Sequence, residues 1–115
     1  MADLELQDKI NRRLSFLLSQ DGQYLGKLTL NKFDTESILN QYGSYGSRFA
    51  TTSIWNQYST YGSRYSSYSP FNPYTSTPPF IYLRGRIVGY LTVNGFMFNR
   101  LHPDDLVKWM AQNNL

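Results

Sequence analysis

A chain of 115 residues with a net charge of +3 and no cysteine has room for one modest hydrophobic core. That excludes a two-domain enzyme with a separate cofactor domain, disulfide staples and every cysteine-based nucleophile or metal site. Lysine and arginine are scattered, so the positive balance is only a weak pointer to a polyanionic partner. Aromatic content is the unusual quantity: ten tyrosines, seven phenylalanines and two tryptophans make 17% of the chain.

In chain order, Leu6, Ile10, Leu14, Leu17 and Leu18 recur at spacings of three and four behind Asp3, a candidate N-cap, and this predicts an amphipathic helix over 3–19. The opening Met1-Ala-Asp-Leu has no basic stretch before an apolar run, and no window reaches the roughly 18 apolar residues of a membrane span. A cytoplasmic protein without a membrane partner is expected. Asp21-Gly22 marks a turn into a strand segment over 21–36, where Leu28 and Leu30 alternate with Thr29 as in a half-buried strand. Residues 21–33 match residues 84–96 at Gly, Gly, Leu, Thr, Asn and Phe, so a second strand segment is predicted over 84–98, paired with the first or in one sheet with it. Gly22, Gly26, Gly85 and Gly89 lack the Gly-Lys-Ser/Thr ending of a phosphate loop and are read as turning or flattening a strand. Pro103-Asp104-Asp105 predicts a C-terminal helix over 103–112.

Between the two strand segments, 37–83 is a tyrosine-rich repeat. Ser37 to Thr52 aligned on Ser53 to Tyr68 gives nine identities in 16 positions without a gap, and a degenerate third unit from Ser69 keeps Asn72 and Tyr74 before Pro78 and Pro79. Such register argues for selected geometry, although the composition is also that of association-prone tracts. One unit runs through all five segments: an Asn, any residue, then an aromatic, as Asn31/Phe33, Asn40/Tyr42, Asn56/Tyr58, Asn72/Tyr74 and Asn94/Phe96. An Asn that accepts from the amide two residues on makes an Asx-turn, which predicts that the aromatic folds back as a plug. Gly46 and Gly62 are expected to supply a second corner through positive φ.

The repeat Ser-Ile-x-Asn-x-Tyr-Gly-x-Tyr-Gly-Ser, with its flanking Gly-x-x-x-Gly-x-Leu-Thr-x-Asn segments, resembles an uncharacterised bacterial family of cyanobacteria and firmicutes. The resemblance covers about Asp21 to Phe96. It implies a prokaryotic origin and an unassigned role, and no functional residue carries over from it.

Residues 37–83 contain no Asp, Glu or His, hence no general acid, general base or carboxylate cage. No cofactor and no metal site is expected. The lone His102 reads as a surface residue at a helix start, and an enzyme outside the repeats would have only His102, Asp104 and Asp105 to work with. Arg48 and Arg64, at equivalent repeat positions beside tyrosines, could stack bases and neutralise phosphate. Two charges make a thin electrostatic footprint, and the structural alternative is a solvated rim over tyrosine faces. Ile38, Leu39, Ile54, Trp55 and Phe71 are expected to form the inner surface.

The sequence therefore predicts one α+β domain with a β-rich centre of flanking strands and short repeat strands and a helix at each end, the alternative being a short β-solenoid. The expected function is a non-enzymatic binding or assembly module. It would engage a protein partner through the aromatic repeat face, or itself through the N-terminal helix, with Tyr42, Tyr45, Arg48, Trp55, Tyr58, Tyr61, Arg64 and Tyr65 as binding residues. Asn31, Asn40, Asn56, Asn72 and Asn94 would fix the turns. Single-stranded nucleic acid is the alternative partner.

Overall fold

The computed structural model describes residues 3–115. Helix α1 (Asp3–Asn11) is followed by strands β1 (Phe16–Leu18) and β2 (Tyr24–Lys27); after the repeats come β3 (Phe80–Leu83), β4 (Arg86–Leu91) and β5 (Arg100–Leu101), a short 3-10 turn (Pro103–Asp105) and α2 (Leu106–Gln112). The five strands form one mixed sheet in the order β2-β1-β3-β4-β5, antiparallel except for the β4–β5 pair. The α+β architecture with a helix near each end is as the sequence predicts.

The N-terminal helix is shorter than its apolar spacing suggests. It stops at Asn11 because Arg13 takes a left-handed φ of 56°, and the amide of Leu14 turns back to the carbonyl of Lys9 at 3.0 Å, the bond pattern of a Schellman end. The residues read as its last turns become β1, whose Phe16-Leu17-Leu18 is buried at every position. A continuous apolar run suits a strand covered on both faces better than one helical stripe.

The matched segments lie in two hairpins that meet back to back through β1 and β3. Leu17 faces Gly26 in the first hairpin and Ile81 faces Gly89 in the second, each pair next to a bulge. The outer strands β2 and β4 therefore share the sheet without pairing. The expected alternation beyond β2 does not occur. The strand ends at Lys27, and the hydroxyls of Thr29 and Thr92 accept from the amides of Asn31 and Asn94 at 3.2 and 3.0 Å, so both exits leave the sheet as turns.

Leu17, Leu25, Ile81 and Leu91 line one face of the sheet and pack with Ile38 and Ile54 of the repeats and with Leu106 and Met110 of α2. Phe16, Leu18, Tyr24 and Tyr82 line the other, under Leu6 and Ile10 of α1. Phe16 stacks on Tyr82 with centroids 4.5 Å apart. Helix α1 lays Leu6 and Ile10 on this cluster and leaves Leu4 exposed.

Of the stretch 37–83 read as repeat, only the end forms a strand, β3 (Phe80–Leu83), which pairs with β1 and β4; the 16-residue units contribute none. From Asp34 to Ser69 the chain is a run of turns in which the carbonyl of each corner accepts from the amide of the next, three or four residues on: Asp34, Ser37, Asn40, Gly43, Ser47, Ala50, Ser53, Asn56, Ser59, Ser63 and Ser66, the last accepting from Ser69. Four steps of three and one of four return the pattern to its start, which is the physical origin of the 16-residue period. Most corner side chains also accept from the amide two residues on, as Ser37 does from Leu39, Ser53 from Trp55 and Ser59 from Tyr61. The amides of the corners are thus satisfied locally rather than in the strand ladder expected of the repeats. Successive coils stack: the Trp55 indole N–H donates to the carbonyl of Ile38 at 2.7 Å, and Trp55 lies 6.1 Å from Phe71, its equivalent in the third unit. The ladder opens beside β2, where the amide of Ile38 donates to Lys27. It closes beside the exit of β4, where the amide of Val93 donates to Pro70.

Candidate functional site

All five Asn side chains make the predicted turn, accepting from Phe33, Tyr42, Tyr58, Tyr74 and Phe96 at 2.9 to 3.1 Å. Four of them also donate. Asn40, Asn56 and Asn72 reach the carbonyls of Asp34, Ala50 and Ser66, each six residues back, and Asn94 reaches Thr75. Serine can accept in a turn, but only the carboxamide presents an acceptor and two donors on one planar head. That is why Asn recurs once per coil among corners otherwise filled by Ser, Asp, Gly and Ala.

The aromatic after each Asn is not a plug. Phe33, Tyr42, Tyr58, Tyr74 and Phe96 are 91%, 98%, 88%, 91% and 97% exposed, because the carboxamide grips the backbone amide on the concave side of the turn and the side chain leaves on the other. A second exposed column holds Phe49 and Tyr65, after Ser47 and Ser63. Gly46 and Gly62 are not positive-φ corners either, since positive φ among the glycines falls at Gly22, Gly26 and Gly85. Their requirement is space. A Cβ on Gly46 would sit 2.2 Å from the Asn40 carbonyl oxygen, and one on Gly62 would sit 2.1 Å from that of Asn56.

Between the exposed columns lie two grooves that repeat at the coil period. The first, of about 1070 Å³, has Ile38, Leu39 and Gly46 at its base, Tyr42, Phe49, Trp55 and Tyr58 along its sides, and Gln41, Gln57 and Arg48 as polar groups. The second, of about 590 Å³, replaces these with Ile54 and Gly62, then Tyr58, Tyr65, Trp55 and Phe71, with Gln57, Ser63 and Arg64. Trp55, Gln57 and Tyr58 belong to both, so the grooves form one trough. Asp, Glu and His are absent from both linings.

Of the sequence-predicted binding residues, Tyr42, Arg48, Trp55, Tyr58, Arg64 and Tyr65 meet here. Tyr45 and Tyr61 do not. Tyr45 packs edge-on against Tyr24 with centroids 5.0 Å apart, and Tyr61 packs against the main core and donates its hydroxyl to Asp21 at 2.8 Å. Both serve the fold because their corners face the first hairpin. Gln41, Gln57 and Phe49 were missed, although Gln is identical in both units and Phe49 aligns with Tyr65. Arg64 lies over its neighbour Tyr65 at 5.6 Å. Among the described residues Arg48 has no ion pair, and the nearest sequence acids lie outside 37–83. His102 is at the surface, its Nδ1 accepting from the amide of Asp104 at the start of the 3-10 turn.

The inward tyrosines carry a pH signature. Burial, then the bond to Asp21, pushes the Tyr61 phenol up to about 12. Burial likewise raises Tyr24, where Glu36 adds to it, and Tyr45 and Tyr82. The unfolded chain releases these protons near pH 10, so their contribution to stability is complete below that value and is lost as the pH rises through the raised values of the folded state, about 12 for Tyr61. The urea midpoint is expected to fall steadily from pH about 10 to about 12, with a shallower slope in Tyr61→Phe; equal slopes would separate Tyr61 from the alkaline transition. Asp21 shifts the other way. Burial opposes ionisation there, but bonds from Ser19, Tyr61 and nearby backbone amides outweigh it and hold the carboxyl below its usual range.

Comparison with protein-family models, with curated proteins and with solved structures finds no match.

Proposed function

We propose that the protein is a non-enzymatic binding module that receives an extended segment of a protein partner in the aromatic trough of its repeats. The observation that carries this reading is the pair of equivalent grooves sharing Trp55, Gln57 and Tyr58. A surface that repeats in register presents the same subsite at each coil, which suits a partner that is itself a linear repeat of backbone. The chemistry of the lining agrees with it. Aromatic side chains with few rotamers supply contact area at low entropic cost, and carboxamides supply hydrogen bonds to a peptide backbone. Eight exposed rings, from Phe33 to Phe98, also form far more apolar surface than scattered single residues do.

Tyr58 is the decisive side chain because it walls both grooves and is 88% exposed, while its turn is held through its backbone amide. Displayed random dodecapeptides selected on the wild-type protein are expected to lose at least about tenfold in affinity on Tyr58→Ser. The melting temperature should stay within about 2 °C, as for other surface substitutions. Peptides that bind both proteins equally would remove the trough from the reading.

A single strand of nucleic acid is the second reading, favoured by the arginine at each groove. Two neutralised phosphates set an upper limit of about −1.4 on the slope of log affinity against log salt, so a steeper slope would require cations outside the trough.

A further inference from the structure

Resting on the trough reading, we infer that its occupant is an acidic extended peptide segment whose carboxylates sit two residues apart, one for Arg48 and one for Arg64. The first ground is charge. Each groove has one guanidinium, at the same position of successive coils, and no carboxylate exists anywhere in residues 37–83. Among the described residues neither arginine is in an ion pair. An arginine fork held beside aromatic faces and left without an acid is a site for a planar anion.

Spacing is the second ground. Equivalent rings of successive coils, Trp55 and Phe71, have centroids 6.1 Å apart. An extended chain advances about 3.3 Å per residue and turns every second side chain to the same face, a step of roughly 6.6 Å. A strand laid across the coils therefore offers one side chain to each groove, at positions i and i+2, while Gln41 and Gln57 lie beside its backbone. A nucleic-acid strand fits less well, because the trough sets two cations against a phosphate at every nucleotide.

The test is the dodecapeptide selection run on the wild type, on Arg48→Gln with Arg64→Gln, and on Tyr58→Ser, with a labelled mixed-sequence single-stranded oligonucleotide titrated in parallel. The wild type is expected to enrich peptides with Asp or Glu at i and i+2, and the double arginine variant to bind those peptides at least about tenfold more weakly. The same peptides with Asn and Gln in place of the acids should bind wild type and double variant alike. Enriched peptides that lack acids but still depend on Tyr58 would overturn the acidic occupant and leave the trough standing. No enrichment over Tyr58→Ser would overturn both. Saturable oligonucleotide binding lost in the arginine variant would overturn the peptide in favour of nucleic acid.

Discussion

Gly62→Ala is expected to lower the melting temperature by on the order of 15 °C, measured by circular dichroism, and Gly46→Ala to do nearly the same. A Cβ on Gly62 would lie 2.1 Å from the carbonyl oxygen of Asn56 and 2.7 Å from that of Ile54; one on Gly46 would meet the oxygen, carbon and nitrogen of Asn40 at 2.2, 2.6 and 2.7 Å. Every one of these neighbours is backbone, so no rotamer change relieves the clash. The coil must open at the place where one corner is tucked under another, and Asn56 is the corner that ties Ala50 and Tyr58. Overpacking in a rigid interior costs about 1–3 kcal/mol and occasionally more, and a clash against a whole peptide group belongs at the top of that range. Gly95→Ala is the control: nothing lies within 4 Å of its Cβ, and its melting temperature should not move by more than about 2 °C. If Gly62→Ala melts like Gly95→Ala, the close approach of the two corners does not exist.

Asn56→Asp and Asn31→Asp are expected to separate the two jobs of the corner residue. Aspartate keeps the acceptor and loses the donors. At Asn31, which is exposed and only accepts, the change should be nearly neutral. At Asn56, 8% exposed and bonded in both directions, it turns a donor toward the Ala50 carbonyl into a carboxylate oxygen facing that carbonyl. The loss of the bond, the unsatisfied acceptor and the partly desolvated charge together put the cost at about 3 kcal/mol. Chemical denaturation of the two variants decides it, and equal midpoints would mean that the carboxamide is not needed for its donor.

The contrast shows what could be read without coordinates. The Asn turns were legible because an Asx-turn is local: its acceptor and its donor lie two residues apart, and five copies of the same spacing carried the signal. The shared sheet was legible from the second internal match for a similar reason. The direction of the aromatics was not. Whether the residue after a corner lies inside or outside depends on how the coil curves, and that curvature comes from the Asn donor bonds to carbonyls six residues back, which no spacing of apolar residues records. Tyr45 and Tyr58 look alike in sequence yet end in the core and at the rim. The true limit of α1 was hidden because Leu14, Leu17 and Leu18 continue its spacing, while a left-handed Arg13 is not a residue type that announces a helix end. Of the candidate site, the residues that align between the units were legible as a set; only their division between fold and trough needed the third dimension.

The stacking of equivalent corners has an evolutionary consequence. Each coil rests on the next through contacts that its duplicate would reproduce, such as the indole of Trp55 on Ile38, and the ladder's backbone bonds to the flanking strands lie at its two ends, from Ile38 to Lys27 and from Val93 to Pro70. Unequal crossing-over between the two units, identical at nine of 16 positions, would add or remove a whole unit in frame, together with a whole groove. Valency can therefore change in integers while the ends stay the same, so that the length of ligand gripped by such a protein is set by copy number rather than by the redesign of any single contact.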